Sequence, residues 1–346
     1  MAKSGRFGVA LLALIFTTLI HTAPASGDEG GLLLYDAFVQ SGYHSDRQFG
    51  VSLLDGCGMG ESAELKTGIC VWAGGGARLS KHEKTLNWNE DAYTFNGGVQ
   101  FPLSWAAVTF GIGYEILDFD LDVAGRGTAT KADADASRYL AAITAAFPVA
   151  NVVDADFRIS LTQTEWDMTR NETGNRYRGL NDVRTWAAVG AVQRAFGDDR
   201  FSFAPRFETG VVYLALDGLR EVTLAGSDDS ALSVDNSGHA VVYIAPSFSV
   251  DHSITSFMET LISVSANFGA DIVIFPAKSN LRGEVDGARL RTKGTLERIM
   301  FDYGLGVSAV HFWKGRMEFR LDYDGGISKS LDTVVNSLTA KFNFAF

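Results

Sequence analysis

The chain has two cysteines, six prolines and no long apolar run in 346 residues. Its longest apolar stretch, Tyr139 to Val153, covers about fifteen residues and is broken by Pro148 and Asn151, short of the ~20 a membrane-crossing helix needs. Positive charge is scarce as well. The formal net charge is −11, so there is no electrostatic case for a nucleic-acid partner. With two cysteines a metal centre would need ligands close by, and His44 and His82 are poorly spaced for that role. Cys57 and Cys70 are therefore expected to form a disulfide. Twelve residues lie between them, and closing such a loop contributes on the order of 3 kcal/mol. No cofactor is expected.

What is present begins with an export signal. Lys3 and Arg6 precede the apolar run Val9–Phe16, and small residues lead to Ala23-Pro24-Ala25, an A-x-A-like cleavage site. Residues 1–25 read as a signal peptide, whose removal takes the charge to −13. An exported chain without a helical span is either soluble or crosses a membrane as a closed barrel.

The C-terminus favours the barrel. Leu338, Ala340, Phe342, Phe344 and Phe346 share one parity, and Ser337, Thr339, Lys341 and Asn343 share the other. Similar alternation recurs from about Val71 onward in some twelve segments. The clearest place Phe110, Ile112 and Tyr114 opposite Thr109 and Glu115, and Phe319, Leu321 and Tyr323 opposite Arg320 and Asp322. Short connections, such as Pro102-Leu103 and Lys314-Gly315, alternate with long polar ones at 82–91, 118–136, 166–182, 216–237 and 269–297. Short turns at one end and long loops at the other are the rule of outer-membrane barrels. The expected fold is all-β: an antiparallel up-and-down transmembrane barrel over 71–346, with residues 26–70 as a short helical or extended N-terminal segment.

Charge placement points the same way. Glu115, Arg158, Arg206 and Glu208 lie on the parity opposite the aromatics. So do Glu259, Glu318, Arg320 and Asp322. Facing lipid at mid-depth each would cost roughly 2–4 kcal/mol, so they are expected to face the lumen.

From Cys70-Val-Trp-Ala-Gly-Gly-Gly76 onward the chain resembles the C-terminal translocator domain of autotransporters, the type V secretion barrels. Gly97-Gly98, Gly111-Ile-Gly-Tyr114, Asp322-Tyr-Asp324 and the terminal Phe344-Ala-Phe346 continue the likeness, which covers about 275 residues. The resemblance implies a monomeric outer-membrane pore of a Gram-negative bacterium, threaded by a helical segment. It also implies an assembly signal at Phe342, Phe344 and Phe346, read by the barrel-assembly machinery after delivery by periplasmic chaperones. The chain departs from the family ahead of Trp72. Only about 46 residues follow the expected cleavage site, too few for a β-helical passenger, and no Asn-Asn pair precedes the first strand. Leu32–Val39 is suited either to a short helix that plugs the lumen or to a disordered leader pinned to the first strand by Cys57–Cys70.

Two other functions compete. An adhesin or receptor would act through loops 118–136 and 216–237, which carry Asp133, Asp135, Asp228 and Asp229 without any calcium-loop spacing. A barrel protease or lipid hydrolase would need a histidine with a Ser or Asp partner. His82, His239, His252 and His311 are the candidates, with Asp235 and Ser237 near His239. No catalytic motif supports them, and a non-enzymatic role is expected.

Overall fold

The computed structural model describes residues 27–55 and 69–345, except for 84–85, 124–129, 150–152, 173, 199, 229–230, 258–259, 276–277, 287, 296–297, 313–315 and 330–331. A helix, α1 (Gly27–Asp55), comes first. Six long strands follow: β1 (Cys70–Glu83), β2 (Leu86–Pro102), β3 (Ala107–Val123), β4 (Thr130–Val149), β5 (Val153–Glu172) and β6 (Asn175–Gln193). Next come β7 (Phe196–Gly197), β8 (Phe201–Leu216), β9 (Leu219–Arg220), β10 (Val222–Ala225), β11 (Leu232–Val234) and β12 (Ser237–Phe257). The chain closes with β13 (Thr260–Phe275), β14 (Lys278–Val285), β15 (Ala288–Thr295), β16 (Ile299–Phe312), β17 (Arg316–Ser328) and β18 (Thr333–Ala345).

Twelve of these strands form a closed antiparallel barrel: β1–β6, β8, β12, β13 and β16–β18. Closure is made by β1, where Cys70 pairs with Gln100 of β2 on one side and Ala345 of β18 on the other. Every strand then has two neighbours and no edge is left open to lipid. Successive residues point alternately outward and inward. Phe95, Ile112, Phe157, Ile159, Phe207, Leu305, Phe319 and Phe342 are exposed on the outer surface. So continuous an apolar belt belongs in a membrane. No described helix is long and apolar enough to cross one; the strands do. The short turns mark the periplasmic end and the long hairpins the external end. One periplasmic turn is fixed by Asp198, whose Oδ1 accepts the backbone N–H groups of Arg200 and Phe201 at 2.9 Å each. Those bonds hold its carboxyl below the usual range.

The external connections differ from expectation. Segments 82–91, 118–136 and 166–182 are mostly strand, so the hairpins rise well past the lipid. The reason is visible in Asp118-Phe-Asp-Leu-Asp122. The alternation continues, but here the carboxylates face out and Phe119 and Leu121 face in. Above the bilayer the outward parity meets water, so a polar sequence forms a strand and resembles a loop. The connections 216–237 and 269–297 instead build a second, four-stranded sheet in the order β15-β14-β11-β9.

Candidate functional site

The lumen is occupied by α1. A helix of this length is about 43 Å long, enough to run the depth of the barrel. Its first turns lie at the external end, where Leu32, Tyr35 and Phe38 join a buried cluster with Leu219, Leu232, Val234 and Leu281 of the second sheet. Phe38 stacks on Trp166 of β5 with ring centroids 4.0 Å apart and meets Phe119 edge-on at 6.4 Å. Further along, Val39 and Tyr43 pack on Val189, Val212, Leu214 and Tyr243. Phe49 packs with Trp72 and Cys70, at the periplasmic start of β1. Five glycines make this a weak helix intrinsically, so burial against the wall sustains it. Two of the glycines permit close approach: a Cβ on Gly42 would sit 3.2 Å from Leu214, and Gly50 abuts the Arg158 guanidinium.

Between these apolar layers the helix is tied to the wall by buried charge. Glu115 of β3 accepts hydrogen bonds from Ser45 Oγ (2.6 Å), Thr94 Oγ1 (2.8 Å), Arg138 Nη1 (2.7 Å) and Arg78 Nη1 (3.3 Å). Arg138 also donates to Ser41 of the helix at 2.8 Å, and Arg78 to Gln48 at 2.8 Å and to Glu90 at 2.7 Å. Asp46 accepts from Ser160 Oγ (2.5 Å) and Arg158 Nη2 (3.4 Å). On another side Arg47 is paired with Glu208, donates to Asp271 Oδ2 at 3.2 Å, and lies 4.1 Å over the Tyr243 ring. Tyr43 donates to the same Asp271 oxygen at 2.9 Å. Removing one partner of such a buried pair typically costs 3–5 kcal/mol.

A latch secures the external end. Glu221, between β9 and β10, accepts three bonds from Arg170 (2.9, 3.3 and 2.6 Å), one from the Leu232 N–H (2.9 Å) and one from the Tyr35 hydroxyl (3.3 Å). One carboxylate thus joins the barrel wall, the second sheet and the helix.

The helix does not fill the lumen evenly. Beside it, toward β12, β13 and β16–β18, lies a cavity of about 430 Å³. Its lining carries ten Asp and Glu against five Lys and Arg, so it favours water and small cations.

Of the charges singled out in the sequence, Glu115, Arg158 and Glu208 contact the helix directly. Arg206 and Glu208 form one cluster with Asp156, through Arg206 bonds of 2.6 Å to Asp156 and 3.2 Å to Glu208. Glu318, Arg320 and Asp322 line the cavity, with Arg320 Nε 2.8 Å from Asp322. Glu259, Cys57 and Phe346 lie outside the described residues. Cys70 is buried at the start of β1, Phe342 is exposed on the outer surface and Phe344 is half-buried. The sequence reading missed Arg78, Arg138, Asp46, Arg47 and Asp271. The glycines of β1 obscured the parity of Arg78, but Ser41, Ser45 and Gln48 already show helical spacing.

The histidines are dispersed. His82 hydrogen-bonds Thr333 at 2.6 Å and stacks on Trp88. His239 reaches Ser237 Oγ at 3.1 Å but is itself buried. His252 contacts the Arg200 carbonyl oxygen and His311 contacts Thr260.

No protein-family model matches the sequence, and no curated protein matches it. Solved structures do. The chain is similar to the translocator domain of the autotransporter NalP from Neisseria meningitidis, with a TM-score of 0.67 and 13% identity over 90% of this chain and 98% of that one. It is also similar to the transport unit of the autotransporter AIDA-I from Escherichia coli (TM-score 0.54, 10% identity, 86% of this chain and 97% of that one). The beta domain of the Bordetella autotransporter BrkA is comparable (0.53, 12%, 80% and 99%). At these identities the likeness is one of fold, a closed antiparallel β-barrel.

Proposed function

We propose that this protein is an autotransporter-type barrel of the Gram-negative outer membrane that retains its own N-terminal helix in the pore. In that state it acts as a surface-display anchor, with a narrow aqueous path in place of an open channel. The observation that carries this reading is the direction of α1. The helix enters beneath the external sheet and ends near the periplasmic start of β1, the path left by an N-terminal segment that has crossed outward through its own barrel. Buried ion pairs along its length then hold it in place.

Several elements belong to the same proposal. Residues 1–25 are a cleaved signal peptide, and Cys57 and Cys70, the only cysteines of an exported chain, form a disulfide at the barrel entrance. The C-terminal strand with Phe342, Phe344 and Phe346 is presented by periplasmic chaperones to the barrel-assembly machinery. The barrel works as a monomer among outer-membrane lipids, without an enzymatic role.

An epitope placed after Ala25 tests the direction of α1. Antibody should label it on intact cells while the unboiled barrel keeps its compact mobility on a denaturing gel. Labelling only after the outer membrane is permeabilised would overturn the reading. A loop-mediated adhesin is the second reading, favoured by the folding of the external connections into a sheet of their own.

A further inference from the structure

The small external sheet has two unlike faces. Leu219, Leu232, Val234 and Leu281 turn inward onto α1, while Arg220, Arg282, Arg289 and Arg291 are exposed on the other face with Glu284 and the half-buried Ser233. The register brings these residues together. Arg282 lies directly across from Arg291, and Arg289, Glu284, Ser233 and Arg220 form one row across the four strands. Directly opposed residues on adjacent strands have Cβ atoms about 5 Å apart, so Arg282 and Arg291 present their side chains from adjacent positions on this face. Lys278 and Lys293 occupy register positions of the same two strands. Segment 278–298 as a whole has six Lys and Arg against three Asp and Glu, a net of +3 in a chain of −11.

The opposite flank of the external end is acidic. Asp91, Asp118 and Asp135 are exposed and stand in one cross-strand row on β2, β3 and β4. At physiological salt charges are screened beyond roughly 8 Å, so the basic face presents its own sign despite the acidic whole.

We propose that this arginine face binds a linear sulfated polysaccharide outside the cell. Guanidinium groups recognise sulfate oxygens through paired N–H donors. The row from β9 to β15 spans three strand spacings, about 14 Å. That is too wide for one small anion and suited to a polymer carrying anions at intervals. Lipid phosphates lie beside the barrel in the membrane plane, whereas this face is turned away from the lumen, over its mouth. Single-stranded nucleic acid would need aromatic platforms for its bases, and β9, β11, β14 and β15 contain no aromatic residue.

The inference rests on the external placement of the sheet, so the test uses full-length protein already shown to be a heat-modifiable barrel. Immobilised heparin is the probe, read against salt. The protein should be retained, R282E/R291E should bind about tenfold more weakly or worse, and R282K/R291K should retain part of the affinity. D118N/D135N, on the acidic flank, should bind at least as well as the parent. Flow-through of a heat-modifiable parent protein would overturn the inference and leave the proposed function standing. Retention unchanged in R282E/R291E, or equal displacement of heparin by lipopolysaccharide or single-stranded DNA, would also overturn it. A variant that loses heat-modifiability is replaced by R220Q/R289Q, for which the same loss of retention is expected.

Discussion

The two walls of the lumen are built from similar alternating strands but treat the helix differently. The wall from β2 to β6 meets α1 with Trp166, Phe119 and Val183 and with the buried groups Glu115, Arg138 and Arg158. The wall of β16, β17 and β18 instead shows Asp302, Glu318, Asp322, Ser337 and Thr339 to a cavity. The plug is therefore seated against one side, and the other side keeps water beside it. Inward alternation alone does not make a lumen polar; what stands opposite decides whether an inward position is apolar, paired or wet.

The largest expected contrast between the walls is electrostatic. Glu115→Ala leaves Arg78 and Arg138 buried without their shared carboxylate and should destabilise the folded protein by about 3–5 kcal/mol. Asp322→Ala, on the cavity side, should cost less than about 1 kcal/mol, because its partner Arg320 keeps access to water. The temperature at which the compact band is lost from unboiled gels compares the two, and equal shifts would mean the helix is not seated on the β2–β6 side. Phe38→Ala comes next, at about 3 kcal/mol, since it empties the site stacked on Trp166. A parallel truncation at Phe49, with fewer aromatic neighbours, should cost less. Smaller again is a contrast within the cavity-side wall. Leu321→Arg places charge in lipid at a cost of roughly 2 kcal/mol or more and should reduce the amount of folded barrel in membranes. Arg320→Leu, on the inner face, should leave that amount nearly unchanged.

The barrel was legible in the sequence because lipid enforces a strict outward parity. Phe319, Leu321 and Phe342, read as one apolar face, are exposed on the outer surface. The hairpin tops were less legible, since strand residues such as Asp118 and Asp120 face water there and carry the composition of a loop. The helix was only partly legible. Leu32–Val39 stood out as an apolar segment, but α1 extends to Asp55 through Ser41, Ser45, Asp46 and Arg47, whose role depends on wall residues far away in sequence. No spacing rule connects Ser45 to Glu115 or Arg47 to Asp271. Those pairings exist only once the barrel has closed around the helix.

Single-channel conductance in planar bilayers tests the seated plug most directly, with the full mature chain compared against a chain lacking residues 27–55. A small, cation-preferring conductance is expected for the full chain, carried by the acidic cavity. The shortened chain should conduct several-fold more, with weaker selectivity. Equal conductance in the two proteins would contradict the seated plug, because the helix would then not occupy the pore in the membrane.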